Sequence, residues 1–230
     1  MRNFFRFVSA IVAVVLPISV GACDGDDAGA EDGIAPLQAE LSSPGAFPVG
    51  FREAELTYIA PAGGGERTLP YKIWYPAVDG GEDPALYAVG GIIELPGVGR
   101  ALDGPAPAEG RFPLAVYSHG SGGENLVGYP FAELFASHGW VVVAPNHVGN
   151  TAVDQLGGAV DLFSRIVLNR VADVTAQLDA VEAWEGDLAG LARTDRVFLF
   201  GHSFGGYTTF AGAGVDLDVD ALRARCTPDD

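Results

Sequence analysis

An α/β domain built on a mostly parallel sheet is what this 230-residue sequence predicts. Three observations predict it. Short apolar runs at 114–118, 140–144 and 197–200 have the length and composition of strands covered on both faces. Segments of helical period separate them, at 131–138 and 162–185. Two alternating runs, 54–60 and 71–76, precede them with Gly63, Gly64 and Gly65 between, and read as an antiparallel pair. Strands alternating with helices place helices on both faces of the sheet.

The amino terminus stands outside that domain. Arg2 and Arg6 give it a positive start, and Phe7 to Ala22 is an uncharged run of 16 residues, too short for a comfortable membrane span. Residues 1–22 therefore read as a signal peptide. Val20-Gly21-Ala22-Cys23 resembles the lipobox of bacterial lipoproteins, where cleavage precedes a cysteine that is then lipidated. Val20 stands where Leu is usual, so an ordinary secretory signal beside an incidental cysteine is the other reading. Either way the protein leaves the cytoplasm for the cell envelope, and with a lipidated Cys23 a lipid anchor holds it to a membrane. Residues 23–50 read as an acidic flexible tether, with Asp24, Asp26, Asp27, Glu31 and Asp32 at its start and a reach of about 30 Å. Residues 51–230 remain for one well-buried domain.

Charge excludes some partners. Without Arg2 and Arg6 the chain carries 11 basic against 30 acidic residues, a formal charge of −19. Such a surface repels nucleic acid and anionic lipid headgroups. No cluster has zinc-ligand spacing, so neither metal nor organic cofactor is implied.

Within the domain, 77–110 is rich in Gly and Pro and reads as loop with one short strand at 91–95. Phe131, Leu134, Phe135 and His138 share one face of a helix that Gly139 ends. Val167, Val171, Val174, Leu178 and Val181 define the buried stripe of the long helix. The 197–200 strand then runs into Gly201-His202-Ser203-Phe204-Gly205, and 207–211 continues as helix.

Strand, Gly-x-Ser-x-Gly and helix in succession form the nucleophile elbow of α/β-hydrolases, with Ser203 at its tip. In a chain with glycine at 32 positions the five-residue pattern alone is unspecific. Gly201 and Gly205 suit a turn too tight for a Cβ, and Gly206 would let the helix approach the sheet. A helix N-cap is the structural alternative for Ser203.

Four ordered stretches extend the likeness: 69–76 (LPYKIWYP), 112–123 (FPLAVYSHGSGG), 135–147 (FASHGWVVVAPNH) and 201–206 (GHSFGG). Together they resemble the α/β-hydrolase family, most closely its branch of platelet-activating factor acetylhydrolases and dienelactone-hydrolase-like esterases. The resemblance implies an esterase acting on a small ester substrate, with Ser203 as nucleophile. It implies an oxyanion hole made by the backbone N–H groups of Ser121 and Phe204, with His119, Gly120 and His202 shaping the two loops. Gly120, Gly122 and Gly123 allow the first loop to curl; a phosphate cradle there lacks its Gly-Lys-Ser/Thr.

The chain departs from the family in one respect. The order is normally Ser, Asp, His, yet His119, His138, His147 and His202 all precede Ser203. His138 reads as a helix C-cap and His147 as a loop residue. Asp216, Asp218 and Asp220 come too early for the family's acid and read as a solvated loop. About three strands that the family has after the elbow are missing, through truncation or degeneration. A lone Cys226 in an exported protein favours truncation. The expectations are an ester hydrolase in full-length form, a catalytically dead binding lipoprotein, or an exported peptidase on the same fold. Oligomeric state is open.

Overall fold

The computed structural model describes residue 39 and residues 42–215, and every element below belongs to the compact unit that begins at Leu41. The signal segment, Cys23, Asp216, Asp218, Asp220 and Cys226 lie outside the described residues.

The expected antiparallel pair is present and longer than its alternation marks. β1 (Val49–Ile59) and β2 (Glu66–Pro76) pair in the register Phe51↔Trp74. The Gly/Pro-rich stretch holds a small hairpin, β3 (Tyr87–Val89) with β4 (Ile93–Leu95), and β5 (Leu102–Asp103), which adds to the edge of β1. β6 (Phe112–Ser118), β7 (Val141–Pro145) and β8 (Ala192–Gly201) are the three apolar runs, with β7 and β8 both parallel to β6. The main sheet has the order β5-β1-β2-β7-β6-β8.

Side chains alternate across this sheet and build two cores. Leu114 and Val116 of β6 join Val141 and Val143 of β7 on one face; Ala115 and Tyr117 join Val142 and Ala144 on the other. α1 (Tyr129–Ser137) covers the second face through Ala132 and Ala136. α2 (Ala152–Gly157) is a short helix with a Thr151–Asp154 capping box. α3 (Phe163–Glu182) covers the first face through Val174 and Val181, with α4 (Phe204–Gly212) beside it.

Both helical faces differ from the sequence expectation. α1 turns Ala132, Glu133, Ala136 and Ser137 inward and leaves Phe131 59% exposed. Small side chains let the helix sit close to the sheet, and Glu133 is fully employed there. Its Oε1 accepts from Tyr87 Oη (2.6 Å), Arg100 N (2.8 Å) and Ala101 N (3.2 Å). In α3 only Val174 and Val181 of the expected stripe are fully buried. Val167, Val171 and Leu178 are half-buried, and Asn169, Arg170, Asp173 and Gln177 occupy the inner face. Polar residues usually point outward, which is why periodicity alone misplaces this face.

Gly45 N donates to Ser137 Oγ (2.8 Å) and Phe47 packs edge-on against Phe112 (5.5 Å), so residues before 51 also pack on the domain. β8 has the composition of a strand covered on both faces, and among the described residues it is an edge strand with Phe198 46% exposed.

Glu133→Ala strands a hydroxyl and two amides in the core. It should cost about 3 kcal/mol, read from urea denaturation, whereas a loss below about 1 kcal/mol would mean that water replaces the carboxylate.

Candidate active site

β8 delivers the chain to a single strained residue. Ser203 has φ 53° and ψ −117° and is the only non-glycine residue with positive φ among the described residues. Backbone strain of this kind costs on the order of 1–3 kcal/mol and persists only where neighbours enforce it. Ser203 occupies the N-cap position of α4, yet its side chain makes no capping bond and the residue is exposed. The N-cap reading thus fails by geometry: the hydroxyl caps nothing.

The enforcing neighbours are backbone atoms. A Cβ at Gly205 would run into the Ser118 carbonyl oxygen, and one at Gly201 would lie 2.5 Å from the Gly205 carbonyl carbon. The elbow therefore packs main chain against main chain on the end of β6. Gly206 differs from expectation, since a Cβ there would meet open space.

The loop after β6 passes directly over this elbow. A Cβ on Gly120 would lie 3.3 Å from Ser203 Cβ and 3.2 Å from His202 Nδ1. Among the described residues neither Ser121 N nor Phe204 N donates to a protein group. For Phe204 this follows from its place in the first turn of α4. Beside Ser203, the rings of Phe163, Phe204 and Tyr207 stack in series at 5.9 and 5.2 Å and form an aromatic wall.

The histidines divide sharply. His138 C-caps α1, and its Nε2 meets Ser43 O at 2.9 Å. His202 is exposed next to the elbow. His119 is fully buried; its Nε2 accepts from His147 N (3.0 Å), so its proton sits on Nδ1, which donates to Gly120 O (2.7 Å). His147 lies in the loop after β7, as expected, but it is buried and forms the centre of a polar relay. Its Nδ1 donates to Asp173 Oδ2 (2.8 Å), and its Nε2 accepts from Ser118 Oγ (2.9 Å).

Ser118, His147 and Asp173 thus have the hydrogen bonding of a catalytic triad without its access. All three are buried, and Ser118 Oγ also accepts from Arg170 Nη2 (3.2 Å). No substrate reaches that hydroxyl. Burial pulls His147 down to about 4, with Arg170 and Arg67 adding to it, against the hydrogen bond to Asp173. His119 is driven well below its usual range, chiefly by burial and then by the neighbouring His147 and Arg170. Burial alone would raise Asp173. The hydrogen bonds from His147 and Arg67 outweigh it and hold the carboxyl below its ordinary value. Both histidines are therefore neutral at pH 7, while Asp173 and the two arginines stay charged.

Sequence reasoning missed Arg170, Asp173 and Asn150. The available signal was Arg170 and Asp173 three apart on one side of a helix read by its apolar residues alone. A cavity of about 520 Å³ lies further along the sheet rim, lined by Tyr71, Lys72, Glu124, Asn146 and others, and does not include Ser203. Among the described residues no group of His, Cys, Asp and Glu is placed to hold a metal ion.

The chlorophyllase family model matches residues 101–222, more than half of the sequence, and spans β6 through the elbow. The chain belongs to the chlorophyllase family. No curated protein matches it. Among solved structures it is similar to a ferulic acid esterase from Streptomyces cinnamoneus, at 23% identity and TM-score 0.61, over 76% of this chain and 58% of that one. It also matches a Pyrococcus horikoshii acylaminoacyl peptidase (17%, TM-score 0.43, 76% and 22%). A puromycin-hydrolyzing peptidase from Mycobacterium tuberculosis follows (17%, TM-score 0.40, 70% and 20%). The chain thus spans little more than half of the esterase's length. The fold is that of the α/β-hydrolases, as the four motifs imply.

Neutral buried histidines make stability fall with acid. The unfolded chain takes up a proton near pH 6.5, whereas folded His147 resists until about 4. Between those values the unfolded state binds more protons, so stability drops as pH is lowered. His147 alone should account for about 3 kcal/mol across that window, with His119 adding in the same direction. Urea midpoints between pH 7 and 4.5 should show the slope, and His147→Gln should roughly halve it. An unchanged slope in the variant would mean that His147 is charged when folded.

Proposed function

We propose that this chain carries the nucleophile of an exported serine hydrolase that cleaves small carboxylic esters through an acyl-enzyme. The observation that carries the reading is Ser203: an exposed residue on a strained backbone whose hydroxyl does not cap its own helix. Membership of the chlorophyllase family and the fold shared with a ferulic acid esterase support it.

In the proposed reaction Ser203 Oγ attacks the ester carbonyl, and a general base takes its proton. Charge develops on the former carbonyl oxygen between the amides of Ser121 and Phe204, each such donor contributing about 3 kcal/mol. The alcohol departs, and water hydrolyses the acyl-Ser203. The Phe163–Phe204–Tyr207 wall suits an apolar part of the substrate. No hydrogen bond among the described residues links a histidine ring to Ser203, and His119 and His147 are committed elsewhere. No described residue is accordingly assigned as the base or its acid. No metal or cofactor enters the proposed chemistry.

A fluorophosphonate probe should label the full-length protein on Ser203. Ser203→Ala should abolish labelling and Ser118→Ala should not. Label on Ser118, or equal labelling of wild type and Ser203→Ala, would overturn the assignment.

The envelope anchor is a second part of the proposal and rests on Val20–Cys23 alone. Cells fed an alkyne fatty acid should place the tag on the wild-type protein and not on Cys23→Ser, which should move to the soluble fraction. A tagged Cys23→Ser protein would remove the anchor.

A further inference from the structure

We propose that the buried guanidinium of Arg170 is the positioning residue of the oxyanion hole, holding its two halves at a fixed separation. This rests on the serine-hydrolase reading above. Arg170 is fully buried. Its Nε donates to Thr208 Oγ1 (3.0 Å), its Nη1 to Asn150 Oδ1 (2.6 Å), and its Nη2 to Ser118 Oγ (3.2 Å) and the His119 carbonyl. Its Cζ lies 5.0 Å from the centre of the Phe204 ring.

Those contacts divide between the two halves of the hole. On the elbow side, Thr208 Oγ1 donates to Phe204 O (3.1 Å), and the guanidinium lies against the Phe204 side chain. On the loop side, Asn150 Nδ2 donates to Ser121 Oγ (3.0 Å), and Asn150 O accepts from Gly122 N (3.0 Å). α3, which carries Arg170, supplies neither amide. One rigid fork from a third element ties together the two segments that do.

The amide of Ser121 is aimed by the same cluster. His119 Nδ1 and Gly123 N (3.1 Å) both donate to Gly120 O. That carbonyl shares a planar peptide with Ser121 N–H, which points the opposite way. Fixing the carbonyl therefore fixes the direction of the N–H, and polarises it. Arg170, bonded to the carbonyl of His119, sets where this peptide begins. A lysine offers a point charge with three radiating donors, not a planar fork, and cannot reproduce the four bonds and the ring contact.

The test compares Arg170→Lys with wild-type full-length protein, using a fluorophosphonate and p-nitrophenyl acetate. The rate constant of labelling and kcat should fall at least tenfold, towards the roughly 10²–10³-fold lost with one oxyanion donor, with KM within about twofold. Labelling amplitude per folded molecule should stay complete. Thr208→Val, nearly isosteric, cuts only the elbow arm and should show the same pattern at a severalfold loss, which keeps the test alive if Arg170→Lys does not fold. Leu56→Ala, a remote core variant, should lower thermal stability without changing the rate constant. The proposal is overturned if the Arg170 and Thr208 variants lose only amplitude or thermal stability while remaining sites react at the wild-type rate. A wild-type protein that takes no label on Ser203 brings down the hydrolase reading, and this inference with it.

Discussion

The contact on which the rest depends is main chain against main chain: Gly205 of the elbow on the carbonyl of Ser118 at the end of β6. No side chain fits between them. Because β6 and β8 are adjacent parallel strands, their carboxyl ends arrive side by side, and this contact turns that proximity into a fixed geometry. It places Gly120 over Ser203 and holds Ser203 at a positive φ that it would not adopt freely. The strain in one residue is the local consequence of close packing in its neighbours.

Beneath that contact lies a polar centre. Asp173, fully buried, accepts from Tyr58 Oη (2.6 Å), Arg67 Nε (2.7 Å) and Nη2 (3.0 Å), and His147 Nδ1 (2.8 Å). Desolvating a carboxylate is expensive unless its lone pairs are met, and here they are. Through His147 and Ser118 the chain of bonds reaches Arg170 and the loop above β6. Burial is the chief reason that the histidines remain neutral, and repulsion from Arg170, joined at His147 by Arg67, adds to it.

The strands were legible because burial on both faces leaves continuous apolar runs, as at Leu114–Val116 and Val141–Ala144. The elbow was legible because its turn demands glycine at 201 and 205. What failed was the inner face of α3. Hydrophobic periodicity assumes that the core is apolar, and here the space under the helix near the strand ends is filled by Arg170, Asp173 and Gln177. The partners of the loop residue His147 were illegible for a related reason, since they lie 26 and 29 residues away in sequence and no local pattern joins them. α1 was misread because bulk was equated with burial, whereas close approach to the sheet selects alanine.

A crystal structure of full-length protein with a phosphonate bound covalently is the most direct measurement of this geometry. The phosphorus should be bonded to Ser203 Oγ, with one phosphoryl oxygen about 2.7–3.1 Å from both Ser121 N and Phe204 N. A phosphonate on another residue, or one on Ser203 whose oxygens meet neither amide, would contradict the placement of the hole between the β6 loop and the elbow.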